Sequence, residues 1–175
     1  MNIGKIARRF LIPAPLTTVL YLLKFGCKVS PKSEVELSPL IKIGKGTQVS
    51  SFTKIKASDG KLMIGRDVSI GTSCFISADK GGVTIGDHSM IGSNTTIVGN
   101  NYRYDVLETP VCQQEKTSKG IIISSNVWVG AGCVILDGAQ IGMNVIITPN
   151  SVVSGKIAAN TIVQGNPAKV IFTRR

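Results

Sequence analysis

Between Ile85 and Gln140 the apolar positions return every six residues. Ile85, Ile91 and Ile97 open I-G-D-H-S-M, I-G-S-N-T-T and I-V-G-N-N-Y; after a polar excursion, Ile123, Val129 and Ile135 open I-S-S-N-V-W, V-G-A-G-C-V and I-L-D-G-A-Q. This spacing matches neither the helical period of 3.6 nor the alternation of a plain strand. A fixed short period is the mark of a repeat architecture. Six residues suit one short flat strand and a tight corner, so three units close a triangle. About eighteen residues then complete one turn of a solenoid, each turn about 4.8 Å above the last. The residue that opens a unit points into the prism and stacks on its equivalents above and below, which requires it to be apolar.

A second positional rule runs alongside the first. Four residues after the opening position the chain approaches the axis again, and that position carries only small or β-branched side chains: Val68, Cys74, Ser89, Thr95, Val127, Cys133, Ala139, Val145 and Ser151. Glycine commonly follows the opening residue, as at Gly44, Gly65, Gly92 and Gly130, where the corner favours a residue without Cβ. The same phase extends outward to Ile43, Val49 and Ile55, to Ile64, Ile70 and Ile76, and to Ile141, Ile147 and Val153. The spacing predicts a solenoid over 35–171, with small insertions at 58–63 and 79–84. A far longer insertion, residues 100–120, falls at the same corner because all three interrupt the third unit. This loop is polar, contains Pro110 and ends in Gly120. Long loops on rigid scaffolds usually carry function.

The first 34 residues differ from the rest of the chain. Lys5, Arg8 and Arg9 precede an apolar run from Phe10 to Leu23 that is interrupted by Pro13 and Pro15. The run is shorter than the roughly 20 residues that span a bilayer, and no small-x-small cleavage site succeeds it. Leu16 to Phe25 is predicted as a short helix, with Pro15 near its first turn and Gly26 near its end. It either caps the open end of the solenoid or lies on a membrane surface with its basic flank toward anionic lipid. The tail 172–175 is basic.

Composition adds limits. Hydrophobic residues make up 43% of the 175, charged residues 17% and aromatics 5%, which suits one domain with a narrow aliphatic core. A net charge of +10 favours an anionic ligand or surface. Cys27, Cys74, Cys112 and Cys133 show no C-x-x-C spacing. Cys74 and Cys133 fall at the small inward position, as core residues in a reducing compartment do. No metal site is expected. Nucleic-acid binding is disfavoured, because no basic patch interleaved with aromatics lies outside the loop.

Three motifs carry a resemblance over roughly 35–171: the loop in the third unit, S-N-V-W-V-G-A-G at Ser125 to Gly132, and G-N-P-A-K-V-I at Gly165 to Ile171. With them the chain resembles the hexapeptide-repeat acyltransferases. It is most similar to the acetyltransferases of polysaccharide biosynthesis and to the galactoside and maltose acetyltransferases. The resemblance implies an all-β fold, a left-handed parallel β-helix with a short N-terminal helix and a protruding loop. It also implies a homotrimer that binds acetyl-CoA between neighbouring prisms. The left hand comes from the resemblance alone, since parallel crossovers are otherwise nearly always right-handed.

In that family a base takes the proton of a sugar hydroxyl as it attacks the thioester, and a donor holds the oxyanion. The loop histidine that normally supplies the base is absent here. Alignment puts Tyr102 in its place, or Asn101 with a shift of one, and a phenol with an ordinary pKa of about 10 is a poor base at neutral pH. His88 is the chain's one histidine. It is the fourth residue of its unit, one coil beneath Asn126 and so close to Trp128, and it is the candidate base if catalysis has been relocated. The resemblance places Trp128 beside the thioester and the acceptor. Asn126, Asn101 and Tyr104 are candidate sugar contacts, and Tyr102, Arg103 and Tyr104 either grip the sugar or hold the loop against the next subunit. The resemblance also places Ala131, Pro149, Ser154 and Lys169 along the path of CoA, with Arg174 or Arg175 near the phosphates. The single histidine sets aside the three-histidine zinc carbonic anhydrases and the histidine-centred serine acetyltransferases of this fold. The expected function is transfer of an acetyl group from acetyl-CoA to a hydroxyl of a sugar or glycan intermediate. The alternatives are N-acetylation of an amino-sugar nucleotide or a silent scaffold. The expected location is the cytoplasm, either free or at the inner face of the membrane.

Overall fold

A computed structural model of the chain describes residues 13–175. The basic residues Lys5, Arg8 and Arg9 lie outside the described residues. The first element of the described residues is helix α1 (Ala14–Phe25), entered through Pro13 in an extended conformation and closed by Gly26 at φ 65°. Proline in the first turn costs nothing, because that N–H has no intrahelical acceptor. At the other end Gly26 N–H reaches the Leu22 carbonyl and Cys27 N–H reaches that of Tyr21, both at 3.1 Å, so the last carbonyls are satisfied.

From Lys28 the chain winds into a three-sided coil. The first turn is β1 (Lys28–Val29), β2 (Glu34–Val35) and β3 (Ile41–Ile43); the second is β4 (Gln48–Val49), β5 (Lys54–Ala57) and β6 (Leu62–Ile64). The third is β7 (Ser69–Ile70), β8 (Phe75–Ala78) and β9 (Val83–Ile85). The fourth begins with β10 (Met90–Ile91) and β11 (Thr96–Val98), is interrupted by the ribbon β12 (Asn101–Tyr102) and β13 (Lys116–Thr117), and closes with β14 (Ile121–Ile123). Then come β15 (Trp128–Val129), β16 (Val134–Leu136), β17 (Gln140–Ile141), β18 (Ile146–Ile147), β19 (Val152–Val153), β20 (Lys156–Ile157), β21 (Thr161–Gln164) and β22 (Lys169–Thr173).

Every third strand shares a sheet. The first face orders β1, β4, β7, β10, β15, β18 and β21, with β22 added antiparallel at the top. The second orders β2, β5, β8, β11, β16 and β19, and the third β3, β6, β9, β14, β17 and β20. The coil starts at β1 under β4, so its first rung lies ahead of the boundary expected at residue 35.

The register places the opening residues of the units in columns, with Ile97 between Ile76 and Ile135 and Val129 between Ile91 and Ile147. These side chains form one buried aliphatic core with Cys27, Cys74 and Cys133. The small polar residues at the fifth position meet their needs across rungs. Thr47 Oγ1 donates to the Gly65 carbonyl at 2.7 Å and accepts from Val68 N–H at 3.1 Å. Among the described residues no buried side-chain N or O lacks a partner.

The glycine that comes after the opening residue is explained by crowding rather than by a special φ. A Cβ at Gly92 would sit 2.5 Å from Ala131 N on the next rung. The left-handed conformation falls two residues later. At the corner between third and first faces Asp67, His88, Asn126, Asn144 and Asn160 all have φ between 54° and 60°. Asn, Asp and His tolerate that region better than other side chains.

The helix closes the lower end of the prism. Tyr21 is 3% exposed and Thr17 is buried, and both face the core. Tyr21 Oη donates to the Glu36 carbonyl at 3.4 Å. Burial, with Cys27 and Glu36 nearby, pushes its hydroxyl up to about 12.

Candidate functional site

Two assemblies of polar residues stand on this scaffold. The first is the loop, which leaves the corner between second and third faces, opposite the first face. Two buried carboxylates hold its root. Asp137, just after β16, accepts Lys119 N–H on both oxygens at 2.9 and 2.8 Å and Gly120 N–H at 2.8 Å. Asp79, just after β8, accepts from Asn100 Nδ2 at 2.7 Å and from Lys80 N–H at 2.8 Å. Burial pushes the Asp79 carboxyl up, but these two hydrogen bonds, with Lys116 and Lys80 nearby, outweigh it and hold the group below its ordinary value. Ser118 ties the two strands of the root together, donating to the Gly99 carbonyl and accepting Gly81 N–H at 2.8 Å.

Above the root the loop is braced by its own side chains. The Lys116 ammonium lies 5.1 Å from the centre of the Tyr102 ring. Gln114 Nε2 donates to the Val106 and Thr109 carbonyls at 2.8 Å, and Arg103 pairs with Asp105. An open cleft of about 410 Å³ is lined by Asn101, Tyr102, Tyr104, Lys119 and Asp137 among others. Tyr102 and Tyr104 are exposed, ready to present aromatic area to a planar or sugar-like ligand.

The second assembly is the outer surface of the first face. Trp128 points outward, 49% exposed, between Met90 below and Ile146 above. Flanking it at the corner of left-handed residues, Asn126 Nδ2 donates to Asn144 Oδ1 at 2.8 Å and Asn144 Nδ2 to Asn160 Oδ1 at 2.7 Å. Arg174 fixes the upper part of this ladder, donating Nη1–H to the Asn144 carbonyl at 2.8 Å and its backbone N–H to the Asn160 carbonyl at 2.7 Å. Arg174 and Arg175 then line a cleft with the three asparagines. His88 stands one rung beneath Asn126, solvent-exposed, with Nδ1 3.9 Å from Asp67 Oδ2. Ala131 and Pro149 stack at the other corner of the first face, Ser154 comes after β19 on the second, and Lys169 begins β22 opposite Gln164.

The expected site residues therefore fall into two groups. Asn126, Trp128 and His88 come together, and Ala131 and Pro149 share one corner. Asn101, Tyr102 and Tyr104 sit on the far side of the same prism. Lys169 and Arg174 lie toward opposite ends of β22 and its tail, so one chain does not gather them around one phosphate. Sequence reasoning missed Asp79, Asn100 and Asp137, which anchor the loop through partners 17 to 21 residues away.

A family model for bacterial transferase hexapeptide repeats (six repeats) matches residues 120–155, which include Trp128, Ala131, Pro149 and Ser154. The chain is 27% identical over 167 residues to the putative lipopolysaccharide biosynthesis O-acetyl transferase WbbJ of Escherichia coli K12, covering 89% of this chain and 82% of that protein. It is 30% identical over 152 residues to a dTDP-4-amino-4,6-dideoxy-D-glucose acyltransferase of Escherichia coli, covering 84% and 79%. A crystal structure of a hexapeptide-repeat acetyltransferase from Vibrio cholerae, complexed with acetyl coenzyme A, superposes with a TM-score of 0.59 at 25% identity. That match covers 98% of this chain and 83% of the other. The chain belongs to the hexapeptide-repeat acyltransferases, and its coil is the left-handed parallel β-helix of that family.

Proposed function

We propose that the protein transfers an acetyl group from acetyl-CoA to a hydroxyl of a sugar or glycan intermediate in cell-surface glycan biosynthesis. The observation that carries the reading is the outer surface of the first face: Trp128 stands half exposed in the matched repeats, next to the corner where Ala131 and Pro149 leave a lane free of bulky side chains. Pantetheine lies along that lane past Ala131 and Pro149 toward Lys169, with Arg174 or Arg175 taking a phosphate at the other edge; Ser154, at the corner between second and third faces, lies off this path. The hydroxyl oxygen attacks the thioester carbonyl, the carbon–sulfur bond breaks, and CoA leaves as thiolate to be protonated to the thiol. His88 takes the hydroxyl proton and Trp128 flanks the reacting carbonyl.

The loop opposite the first face completes the site in a homotrimer, where the loop of one copy reaches the first face of the next. Asn101, Tyr102 and Tyr104 of that loop then grip the sugar, with Asn126 on the receiving side. The protein works in the cytoplasm.

A second reading, transfer to an amine of an amino-sugar nucleotide, is favoured by the loop itself. It holds no histidine, and a neutral amine attacks a thioester without first losing a proton. A 30% identical relative carries the name of such an enzyme. Thiol release from acetyl-CoA, monitored against matched hydroxyl and amino sugars in the parent and His88→Ala, separates the readings. Hydroxyl-dependent release that falls at least a hundredfold in the variant supports the first. Amine-dependent release that survives the variant supports the second, and no release with any acceptor would leave a silent scaffold.

A further inference from the structure

The lower end of the prism carries a surface that acyl transfer does not use. Solenoid ends are normally closed by caps with a polar outer face, which keeps them soluble. Helix α1 closes this one with Thr17 and Tyr21 turned inward, yet its outer side carries Leu16, Val19, Leu20 and Leu23, spaced i, i+3, i+4 and i+7 as one stripe. Leu23 is 80% exposed. The described helix contains no acidic residue and has Lys24 in its last turn.

Charge is gathered at the same end. Residues 13–60 hold seven Lys and Arg against three Asp and Glu, an excess of four over 48 residues, whereas residues 61–175 hold ten against seven, an excess of three over 115 residues. Lys28, Lys32, Lys42 and Lys45 are exposed around the helix. Glu34 is spent on Lys54 at 2.8 Å, and Glu36 accepts the Ala57 N–H. An apolar stripe rimmed by cations is the combination that seats a short helix in the interface of an anionic bilayer.

We infer that the prism docks end-on to an anionic lipid surface, with Leu16, Val19, Leu20 and Leu23 entering the headgroup and acyl boundary and the surrounding lysines meeting lipid phosphates. A second copy packed stripe against stripe would face the same lysines, which like charge opposes. The loop leaves the coil three rungs above β2, about 14 Å higher. With about 10 Å for the helix, it stands on the order of 25 Å from the bilayer. The inference is independent of the acyl-transfer reading.

The test is sedimentation of the full chain with vesicles of phosphatidylglycerol and phosphatidylcholine in equal parts, against pure phosphatidylcholine. The expected result is affinity at least tenfold higher for the anionic vesicles. Each cation near such a surface is worth roughly a fivefold factor, so Lys24→Glu with Lys28→Glu loses tenfold or more, as does Leu20→Ser with Leu23→Ser. Lys156→Glu, on β20 at the other end of the prism, leaves binding unchanged. Unaltered thermal unfolding and CoA binding of the variants show that the fold and the other site are intact. Failure to bind anionic vesicles, equal loss from Lys156→Glu, or stripe variants that change only the oligomeric state would each overturn the proposal.

Discussion

Replacing Asp137 by Ala tests whether the loop is held where the proposed site needs it. The carboxylate is 8% exposed and accepts three hydrogen bonds from two backbone N–H groups, those of Lys119 and Gly120. Removing it strands a buried donor at Gly120 and a partly buried one at Lys119. Each unsatisfied donor costs about 1–3 kcal/mol. Water recovers part of the loss at Lys119, so the total is about 3 kcal/mol, or roughly 6–12 °C in melting temperature for a chain of this length. Asp137→Asn keeps an oxygen where it accepts from both donors and so costs about 1 kcal/mol. Chemical denaturation reads the total, and hydrogen exchange at the Lys119 and Gly120 amides reads its origin. With acceptor present, KM rises in the alanine variant because Tyr102 and Tyr104 lose their fixed root. Unchanged exchange at those two amides, with a melting point within about 1 °C of the parent, would refute the reasoning.

The same geometry sets three other outcomes. Ile135→Ala empties a fully buried site between Ile97 and Val153 and costs about 2–5 kcal/mol, while the outward Ile122→Ala stays within about 0.5 kcal/mol; denaturant midpoints compare them. Gly92→Ala forces a Cβ to 2.5 Å from Ala131 N and destabilises by about 1–3 kcal/mol, whereas Gly155→Ala meets nothing within 4 Å and is nearly neutral. Asp79 has a folded pKa below its ordinary value, so its contribution is present above the unfolded pKa of about 3.9 and is lost as pH falls through the lower folded value. Melting curves from pH 6 to pH 2 show that loss in the parent, and Asp79→Asn lacks that part of the slope.

What could be read from the chain depended on the length scale of each contact. Ile85, Ile91 and Ile97 announce three faces because their spacing is local, and the third-unit insertions announce a shared corner for the same reason. The helix bounds are set by Pro13, Pro15 and Gly26, all of which act within one turn. The reason for glycine after the opening residue was not local. Gly92 yields to Ala131 on the next rung, and only the register reveals that approach. Asp79 and Asp137 stay silent for a related cause: their partners lie a full coil away, past an insertion that breaks the period. His88 shows the converse hazard. Its column of Asp67, Asn126, Asn144 and Asn160 shares one left-handed corner, so the backbone alone accounts for a histidine there, and its chemistry has to be tested. The separation of Tyr102 from Trp128 across the prism comes from the corner the loop occupies, which is why the proposed function calls on a second copy.

The central claim is a CoA cleft on the first face, and calorimetric titration of acetyl-CoA into the full chain and into Trp128→Ala tests it most directly. Binding to the parent is saturable and weakens at least tenfold, about 1.4 kcal/mol, when the indole is removed. No heat of binding at millimolar ligand, or equal affinity in parent and variant, would contradict it.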